Sequence, residues 1–256
     1  MTNRKKYKII ACFGNCILDY SPPNHSIINH LKKDFLNFKI YNFGIIGTIY
    51  EQMMIYNALA YMLKPEIVIS FGIATDWVNG IYSCKKMIQD YKIVYTRKWE
   101  TIDSKASQSS LIPSDNYTNS NEDINQAITY RIQQFNKIVK NNNGIFLSFC
   151  QIIFPHKNFL TTTEKILKAK ELASSHPIYR EFYNNRVFAL SKLLNTSMKN
   201  KKYFYNLNKI IQNNRNTIFN KHFVYCNEYG SKITADFIAE KIKERIKDKK
   251  KKKNKK

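Results

Sequence analysis

Glycine and proline are scarce in this chain, which has only 7 and 6 of them among its 256 residues. This composition excludes collagen-like chains and low-complexity disordered chains, because both are rich in these residues. Hydrophobic residues make up 43% of the chain and aromatic residues 14%, which is enough apolar material for a sizeable core. The length allows one α/β domain or two small ones.

Acidic residues are also few: 19 Asp and Glu stand against 42 Lys and Arg, which gives a formal net charge of +23. Such a balance first suggests nucleic acid or an anionic membrane surface as a partner. Residues 247–256, however, contain eight of the lysines, and a like-charge block is usually a solvated tail. We therefore predict one domain over residues 1–246 and a disordered lysine-rich tail over residues 247–256. We expect no specific nucleic-acid binding, and at most weak contact of the tail with an anionic surface.

Cysteines are odd in number, five in all, and scattered without a CxxC pair, so they form no disulfide framework. No apolar stretch is long enough to span a bilayer, and the apolar stretch after the basic start is too short for a signal-peptide core. These features predict a reduced, cytoplasmic setting. No His, Cys, Asp or Glu cluster has metal-ligand spacing, and the residues around Gly14 form neither GxGxxG nor a P-loop. We therefore predict no metal and no nucleotide cofactor.

Three apolar, β-branched runs each stop at a glycine, namely Gly14, Gly44 and Gly72. Such runs are typical of buried parallel strands that end in a tight turn. Helical patterns at residues 26–35 and 50–63 separate them, and this alternation predicts a parallel sheet covered on both faces. The expected fold is a three-layer α/β/α sandwich, with its site where the carboxyl ends of the strands meet.

The rest of the chain continues the alternation. The helix at residues 50–63 is apolar almost all round, which predicts burial against the sheet. Residues 104–121 are polar and predict a surface loop or a mobile lid. The histidines His25, His30, His156 and His176 are expected at the surface or in loops. Further strands are predicted at residues 144–154 and 202–205, and further helices at residues 124–139, 161–172, 179–194 and 230–246.

Five segments in order resemble the SGNH/GDSL hydrolases, particularly the branch found in bacterial surface-polysaccharide gene clusters. The closest is Asn42-Phe43-Gly44-Ile45-Ile46-Gly47-Thr48 followed by Gln52, which is similar to that branch's NxGxxG pattern and its helix. The resemblance covers about residues 8–246 and implies an SGNH-type, flavodoxin-like sandwich. The other four segments lie at residues 64–69, 76–80, 151–164 and 228–239.

The resemblance implies acyl transfer to water. In the family a serine after the first strand attacks an ester, and a histidine near the C-terminus takes its proton. An aspartate three residues before that histidine orients it. A glycine after the second strand and an asparagine after the third help to stabilise the oxyanion.

Most of the catalytic residues of the family are replaced by other residues in this chain. Gly14-Asn15-Cys16 falls where the family has Gly-Asp-Ser, so Cys16 takes the place of the nucleophile, and thiolates are strong nucleophiles. Gly47 fits the first oxyanion donor, and Thr75 falls at the asparagine position with a hydroxyl to donate. Counting back from Gly230, the histidine should be at Tyr225 and the aspartate at His222. The expected base is therefore missing, unless a shift in register presents His222 to Cys16.

Each candidate residue also has a structural alternative. Cys16 is a small residue that suits a tight turn, Asp76 either caps a helix or binds substrate, and Tyr225 either bonds a sugar or is simply buried. We take Asn15, Asp76 and Tyr225 as the substrate-binding candidates. Two functions follow. The first is an esterase for acyl or acetyl esters of a carbohydrate, which uses Cys16, Gly47, Thr75 and His222. The second is an inactive descendant that binds a carbohydrate or a protein partner through the old cleft.

Overall fold

A five-stranded parallel sheet forms the centre of the molecule. The structure is a computed structural model, and it describes residues 7–14, 18, 26–44, 48–82, 119–174, 180, 182–221 and 225–253. The strand order is β2-β1-β3-β4-β5, and every neighbouring pair is parallel. β3 and β4 are buried along their whole length, which explains their uninterrupted apolar sequences. The strands are β1 (Lys8–Gly14), β2 (Phe38–Phe43), β3 (Ile67–Gly72), β4 (Ile145–Cys150) and β5 (Phe204–Asn206).

Helices cover both faces of this sheet, so the predicted three-layer α/β/α sandwich is confirmed. One core cluster joins the sheet to α1 and α8, and a second joins it to α2, α4 and α6. A short antiparallel hairpin, β6 (Phe219–Lys221) with β7 (Tyr225–Cys226), precedes the last helix and was not predicted. The helices are α1 (Ile27–Asp34), α2 (Ile49–Leu63), α3 (Ala74–Tyr82), α4 (Asn121–Asn141), α5 (Thr162–Ser174), α6 (Val187–Met198), α7 (Asn208–Ile211) and α8 (Glu228–Lys253).

Hydroxyl side chains fix where three of these helices begin. Ser26 accepts a hydrogen bond from the N–H of Asn29 at 3.2 Å and starts α1. Thr48 and Glu51 form a reciprocal capping box at the start of α2, and Ser120 caps α4. Each cap supplies an acceptor for an N–H that the helix itself cannot pair. The helix starts are therefore set by local sequence.

Helix α2 differs from its prediction. Its buried residues are Ile49, Gln52, Tyr56 and Ala60, whereas Tyr61 is 86% exposed and Met62 74% exposed. The predicted packing of this helix against the sheet is confirmed for one face only, because a helix in an outer layer turns a single face to the sheet.

Two other segments depart from the sequence prediction. The run predicted as one strand at residues 144–154 ends its sheet pairing at Cys150 and closes in a 3₁₀ turn at Phe154–His156. The helix predicted over residues 179–194 is a π-helical turn at Phe182–Arg186 followed by α6. The predicted loop or lid at residues 104–121 lies mostly outside the described residues. None of the described helices combines the length and apolar character needed to cross a bilayer.

Helix α8 continues past the predicted boundary at Ile246 as far as Lys253, so the start of the predicted disordered tail is helical. Lysine is a good helix former. Two polar contacts also hold this end: Arg245 pairs with Asp248 at 3.2 Å, and Lys249 donates to the carbonyl of Asn143 at 2.8 Å. Both contacts are exposed.

Truncation of the chain after Ile246 is expected to lower the free energy of unfolding by less than about 1 kcal/mol, because exposed ion pairs contribute little. Thermal melting of the two chains measures this. Binding to vesicles of anionic lipid at low salt should weaken in the truncated chain, since each lysine near such a surface contributes about 1 kcal/mol. A destabilisation of several kcal/mol would instead show that the helix end packs on the domain.

Candidate functional site

The carboxyl ends of β1, β2 and β3 lie side by side. Phe13 of β1 pairs with Phe43 of β2, and Gly14 pairs with Phe71 of β3. The predicted meeting of these three strand ends at one edge of the sheet is therefore confirmed. Of the residues predicted there or near it, the following lie outside the described residues: Asn15, Cys16, Gly47 and His222.

Gly14 ends β1 in a place that has no room for a side chain. A Cβ atom on this residue would lie 2.7 Å from the carbonyl oxygen of Phe71 and 2.7 Å from Cδ1 of Leu18. Leu18 is itself buried, so neither neighbour moves away easily. The close approach of β1 to β3 just before the predicted nucleophile position therefore depends on glycine.

The turn from β3 to α3 is strained. Gly72 has a φ of 149°, and Ile73, a buried β-branched residue, has a φ of 89°. A non-glycine residue in this region costs about 1–3 kcal/mol and persists only where the surrounding structure holds it. The carbonyl of Gly72 accepts from the N–H of Gln151 at 3.0 Å, and that of Ile73 accepts from the N–H of Trp77 at 2.9 Å. The strained turn leads directly to Thr75, which is half-buried in the first turn of α3.

Asp76 is enclosed, with a side chain that is 0% exposed. Its carboxylate accepts from the N–H of Ile49 at 3.1 Å and pairs with the guanidinium of Arg131 at 3.1 Å. Of the two roles predicted for Asp76, the structure shows the cap, although the helix capped is α2 rather than its own α3. Arg131 belongs to α4, so one carboxylate ties three helices together behind the strand ends.

Burial raises the pKa of Asp76 to about 6, and it outweighs the opposing effects of Arg131 and of the Ile49 N–H. The carboxylate is thus ionised at neutral pH in a place that disfavours its charge. A substrate would have to displace Arg131 or Ile49 to reach it. Asp76 therefore affects this edge of the sheet indirectly, because it holds α2 and α3 in place.

Gln52 makes a second polar connection behind the strand ends. Its side chain is buried in α2, where its amide donates to the carbonyl of Phe71 at 3.3 Å and accepts from the hydroxyl of Ser70 at 2.6 Å. These bonds fix α2 against the end of β3. In the sequence, Gln52 is a lone glutamine in an apolar helix. Only its match to the resembling pattern marked it as a residue of interest.

The β6–β7 hairpin carries the position at which the resemblance expects a base. Tyr225 lies in β7, half-buried and packed against the core cluster of α1 and α8. The ring of Phe219 in β6 lies 5.1 Å from that of Phe154, which follows the end of β4. Since β4 is parallel to β1, β2 and β3, the hairpin sits at the same carboxyl edge of the sheet.

Lys157 and Glu164 form a buried ion pair that sequence analysis missed, and both side chains are 0% exposed. Glu164 also accepts from the N–H groups of Ile218 at 2.9 Å and Thr161 at 3.0 Å, while Lys157 donates to the carbonyl of Asn216 at 2.7 Å. The pair therefore anchors the start of the hairpin. Nothing in the sequence marks Lys157 or Glu164 as members of an enclosed pair.

The pKa of Glu164 is lowered despite its burial. Desolvation opposes its ionisation, but hydrogen bonds from Lys157, Ile218 and Thr161 outweigh that cost. A carboxylate that accepts several hydrogen bonds is stabilised in its charged form. Glu164 and Asp76 are thus two enclosed carboxylates whose pKa values move in opposite directions.

The described residues contain no group of three or more His, Cys, Asp or Glu side chains arranged to hold a metal ion. At this edge of the sheet, the described residues place a strained turn, a half-buried threonine and a hairpin beside three strand ends.

Comparison with solved structures finds the same fold in chains of remote sequence. The acetyl xylan esterase AlAXEase matches with a TM-score of 0.51 and 13% identity over 93% of this chain and 99% of that chain. A Bacteroides fragilis NCTC 9343 protein assigned as an acylhydrolase matches with a TM-score of 0.54 and 12% identity over 96% and 91%. A GDSL-like lipase from Bacteroides thetaiotaomicron VPI-5482 gives 0.50 and 13% over 97% and 91%. No family model matches the sequence, and no curated protein matches it.

Proposed function

Since the chain has the fold of the SGNH/GDSL hydrolases, we propose that it is an ester hydrolase that uses Cys16 as its nucleophile. The observation that carries this proposal is the strained turn at Ile73, which is followed by Thr75 just after the end of β3, the strand that pairs with β1. Strain of this kind is found where a site needs a particular backbone geometry. The turn therefore supports a working oxyanion site.

The proposed reaction proceeds through a thioester. The Cys16 thiolate attacks the ester carbonyl, and the oxyanion that forms accepts hydrogen bonds from the Gly47 N–H and the Thr75 hydroxyl. The alcohol leaves with a proton, and water then attacks the thioester to release the acid and restore the thiol. His222 is the proposed carrier of the proton, displaced from its usual place in the family. No cofactor takes part in this scheme.

The proposed substrate class is an acyl or acetyl ester of a carbohydrate. Its support is the resemblance to the surface-polysaccharide branch, together with the name of AlAXEase as an acetyl xylan esterase. The proposed setting is the cytoplasm, since the described cysteines Cys12, Cys150 and Cys226 are free thiols and reducing compartments maintain thiols.

A second candidate function is binding without turnover through the same cleft. The observation that favours it is Tyr225, which stands where the resemblance expects histidine. A phenol at neutral pH is a poorer general base than an imidazole. In this case Asn15 and Tyr225 contribute hydrogen bonds to a carbohydrate or a protein partner, and Cys16 is only a small turn residue.

Hydrolysis of an aryl acetate and of an acetylated xylo-oligosaccharide tests the two candidates. We expect Cys16→Ala to lower kcat/KM for both esters at least tenfold, because the nucleophile is lost. His222→Gln should lower it as well, whereas Cys84→Ala serves as the matched cysteine control. Equal rates for wild type and Cys16→Ala would refute Cys16 as the nucleophile. A wild type without activity that still binds the oligosaccharide would support the second candidate.

Thiol labelling gives an independent measurement. Burial raises the pKa of Cys12 to about 12 and also raises the pKa of Cys150 and Cys226, so these thiols should react slowly. In a Cys84→Ser background, a mild alkylating agent should therefore modify Cys16 first. Alkylation of Cys16 more slowly than that of a free model thiol at neutral pH would favour the structural role.

A further inference from the structure

A groove of about 660 Å³ runs along the outer edge of β5. Helix α6 forms one wall, and α7 with Phe237 of α8 forms the other. His156 and Asn208, which follow the ends of β4 and β5, line it toward the carboxyl edge of the sheet. Its volume is in the usual range for small-molecule sites. It lies apart from the ends of β1, β2 and β3, where the proposed catalytic positions fall.

Side-chain amides make a rigid floor in this groove. Asn206 donates to the hydroxyl of Ser191 at 3.2 Å and to the side-chain oxygen of Asn195 at 3.1 Å. Its own oxygen accepts from the backbone and side chain of Asn208, both at 2.9 Å. Asn208 in turn accepts from the N–H of Ile153 at 2.7 Å. A floor whose side chains are already fixed loses little entropy when a ligand binds.

The charge of the groove has one sign. Lys192, Lys199 and Lys209 line it, and no acidic residue does. All three lysines are exposed, and no carboxylate among the described residues pairs with any of them. Three ammonium groups around one groove favour an anionic ligand.

Aromatic rings and one imidazole complete the lining. Phe188 on α6 is 49% exposed, and Tyr205 and Phe237 line the opposite side. The ring of His156 lies 4.8 Å from that of Phe188, and its Nε2 atom is buried without a hydrogen-bond partner among the described residues. His156 was expected at the surface or in a loop, and it lies half-buried in the 3₁₀ turn that follows β4. Its burial lowers its pKa to about 4, so at neutral pH it offers a hydrogen-bonding nitrogen without charge.

We propose that this groove binds an acidic sugar, one that bears a carboxylate or a phosphate, within the carbohydrate substrate. This inference rests on the proposed function. The lysines meet the anion, Asn195, Gln212 and His156 meet the hydroxyls, and the rings cover the apolar faces of the sugar. Three strand spacings separate β5 from β1, roughly 14 Å. One oligosaccharide can therefore occupy the groove while its ester reaches the ends of β1 and β3. Binding in the groove then helps to hold the ester at the reacting centre.

Titration calorimetry with two oligosaccharides of equal length tests the proposal: an oligogalacturonate, which carries carboxylates, and a neutral xylo-oligosaccharide. We expect the first to bind more tightly and to weaken as salt rises. The triple variant Lys192→Gln, Lys199→Gln, Lys209→Gln should bind it about tenfold more weakly, since each exposed charge contact contributes a small factor. The matched control removes three exposed lysines elsewhere: Lys33→Gln, Lys165→Gln, Lys168→Gln.

Three results would overturn the proposal: equal binding of the neutral oligosaccharide, equal weakening by the control triple, or equally tight binding of an acidic peptide such as oligoglutamate. Hydrolysis of a small uncharged aryl acetate separates this inference from the proposed function. The groove triple should leave that hydrolysis unchanged. If wild type lacks the hydrolysis but binds oligogalacturonate through the lysines, the groove stands and the esterase fails. If the reverse holds, the esterase stands and the groove fails.

Discussion

Replacing Glu164 by alanine is expected to lower the free energy of unfolding by about 3–5 kcal/mol, the usual cost of breaking a buried ion pair. The variant leaves the ammonium of Lys157 enclosed with only the carbonyl of Asn216 as a partner. It also removes the acceptor for the buried N–H of Ile218. Each of these groups then carries a desolvation cost that no hydrogen bond offsets. The hairpin that begins after Ile218 should be the first part to loosen.

Denaturant unfolding of three variants makes this measurement specific. Lys157→Met should cost less than Glu164→Ala, because Glu164 keeps the N–H groups of Ile218 and Thr161. Glu122→Ala removes an exposed acid from the first turn of α4 and should cost at most about 1 kcal/mol. If Glu164→Ala is no more destabilising than Glu122→Ala, the buried network does not anchor the hairpin.

The pH dependence of Glu164 has a definite sign. Because its pKa is lower in the folded state, its contribution to stability is fully present above the unfolded pKa of about 4.3. That contribution is lost as the pH falls through the lower folded value. Wild type should therefore lose stability steeply in acid, and Glu164→Gln should lose less of its remaining stability over the same range.

Replacing Asp76 by alanine is expected to lower the free energy of unfolding by about 2–4 kcal/mol at pH 7. Arg131, whose side chain is only 15% exposed, loses its charge partner, and the first N–H of α2 loses its acceptor. Either loss removes a hydrogen-bond or charge partner from a poorly solvated group. Asp76→Asn is the matched control: it retains one acceptor for Ile49, so it should cost less than alanine. Equal stabilities of the two variants would contradict this account.

Asp76 should also give wild type an unusual pH profile. Its pKa of about 6 exceeds the unfolded value of about 3.9, so between these pH values the folded state binds the extra proton. Protonation of Asp76 therefore adds stability as the pH falls from about 6 toward 4, by at most about 1.4 kcal/mol per pH unit. Subtracting the profile of Asp76→Asn from that of wild type isolates this rise. A difference curve that is flat through this window would refute the raised pKa.

Helix and strand positions follow closely from the sequence where the pattern is local. The apolar run that stops at Gly44 is the strand β2 (Phe38–Phe43), and Gly14 and Gly72 end β1 and β3 as expected. Alternation of strands with helices also predicted the parallel sheet and the edge at which the candidate site lies. These features depend on apolar periodicity and on glycine turns, which neighbouring residues determine. Cys16, Gly47 and His222 remain predictions.

The sequence did not predict which polar side chains would be enclosed, because their partners lie far away along the chain. Asp76 meets Arg131 across 55 positions, and Glu164 meets Ile218 across 54. Whether such a carboxylate is exposed, capping or paired depends on how helices pack, and packing brings distant segments together without a local pattern. The exposed face of α2 has the same origin. Apolar residues surround this helix, and only its position in the outer layer determines which side is buried. The apolar pattern thus determined the sheet, whereas tertiary packing alone decided the buried charges and the β5 groove.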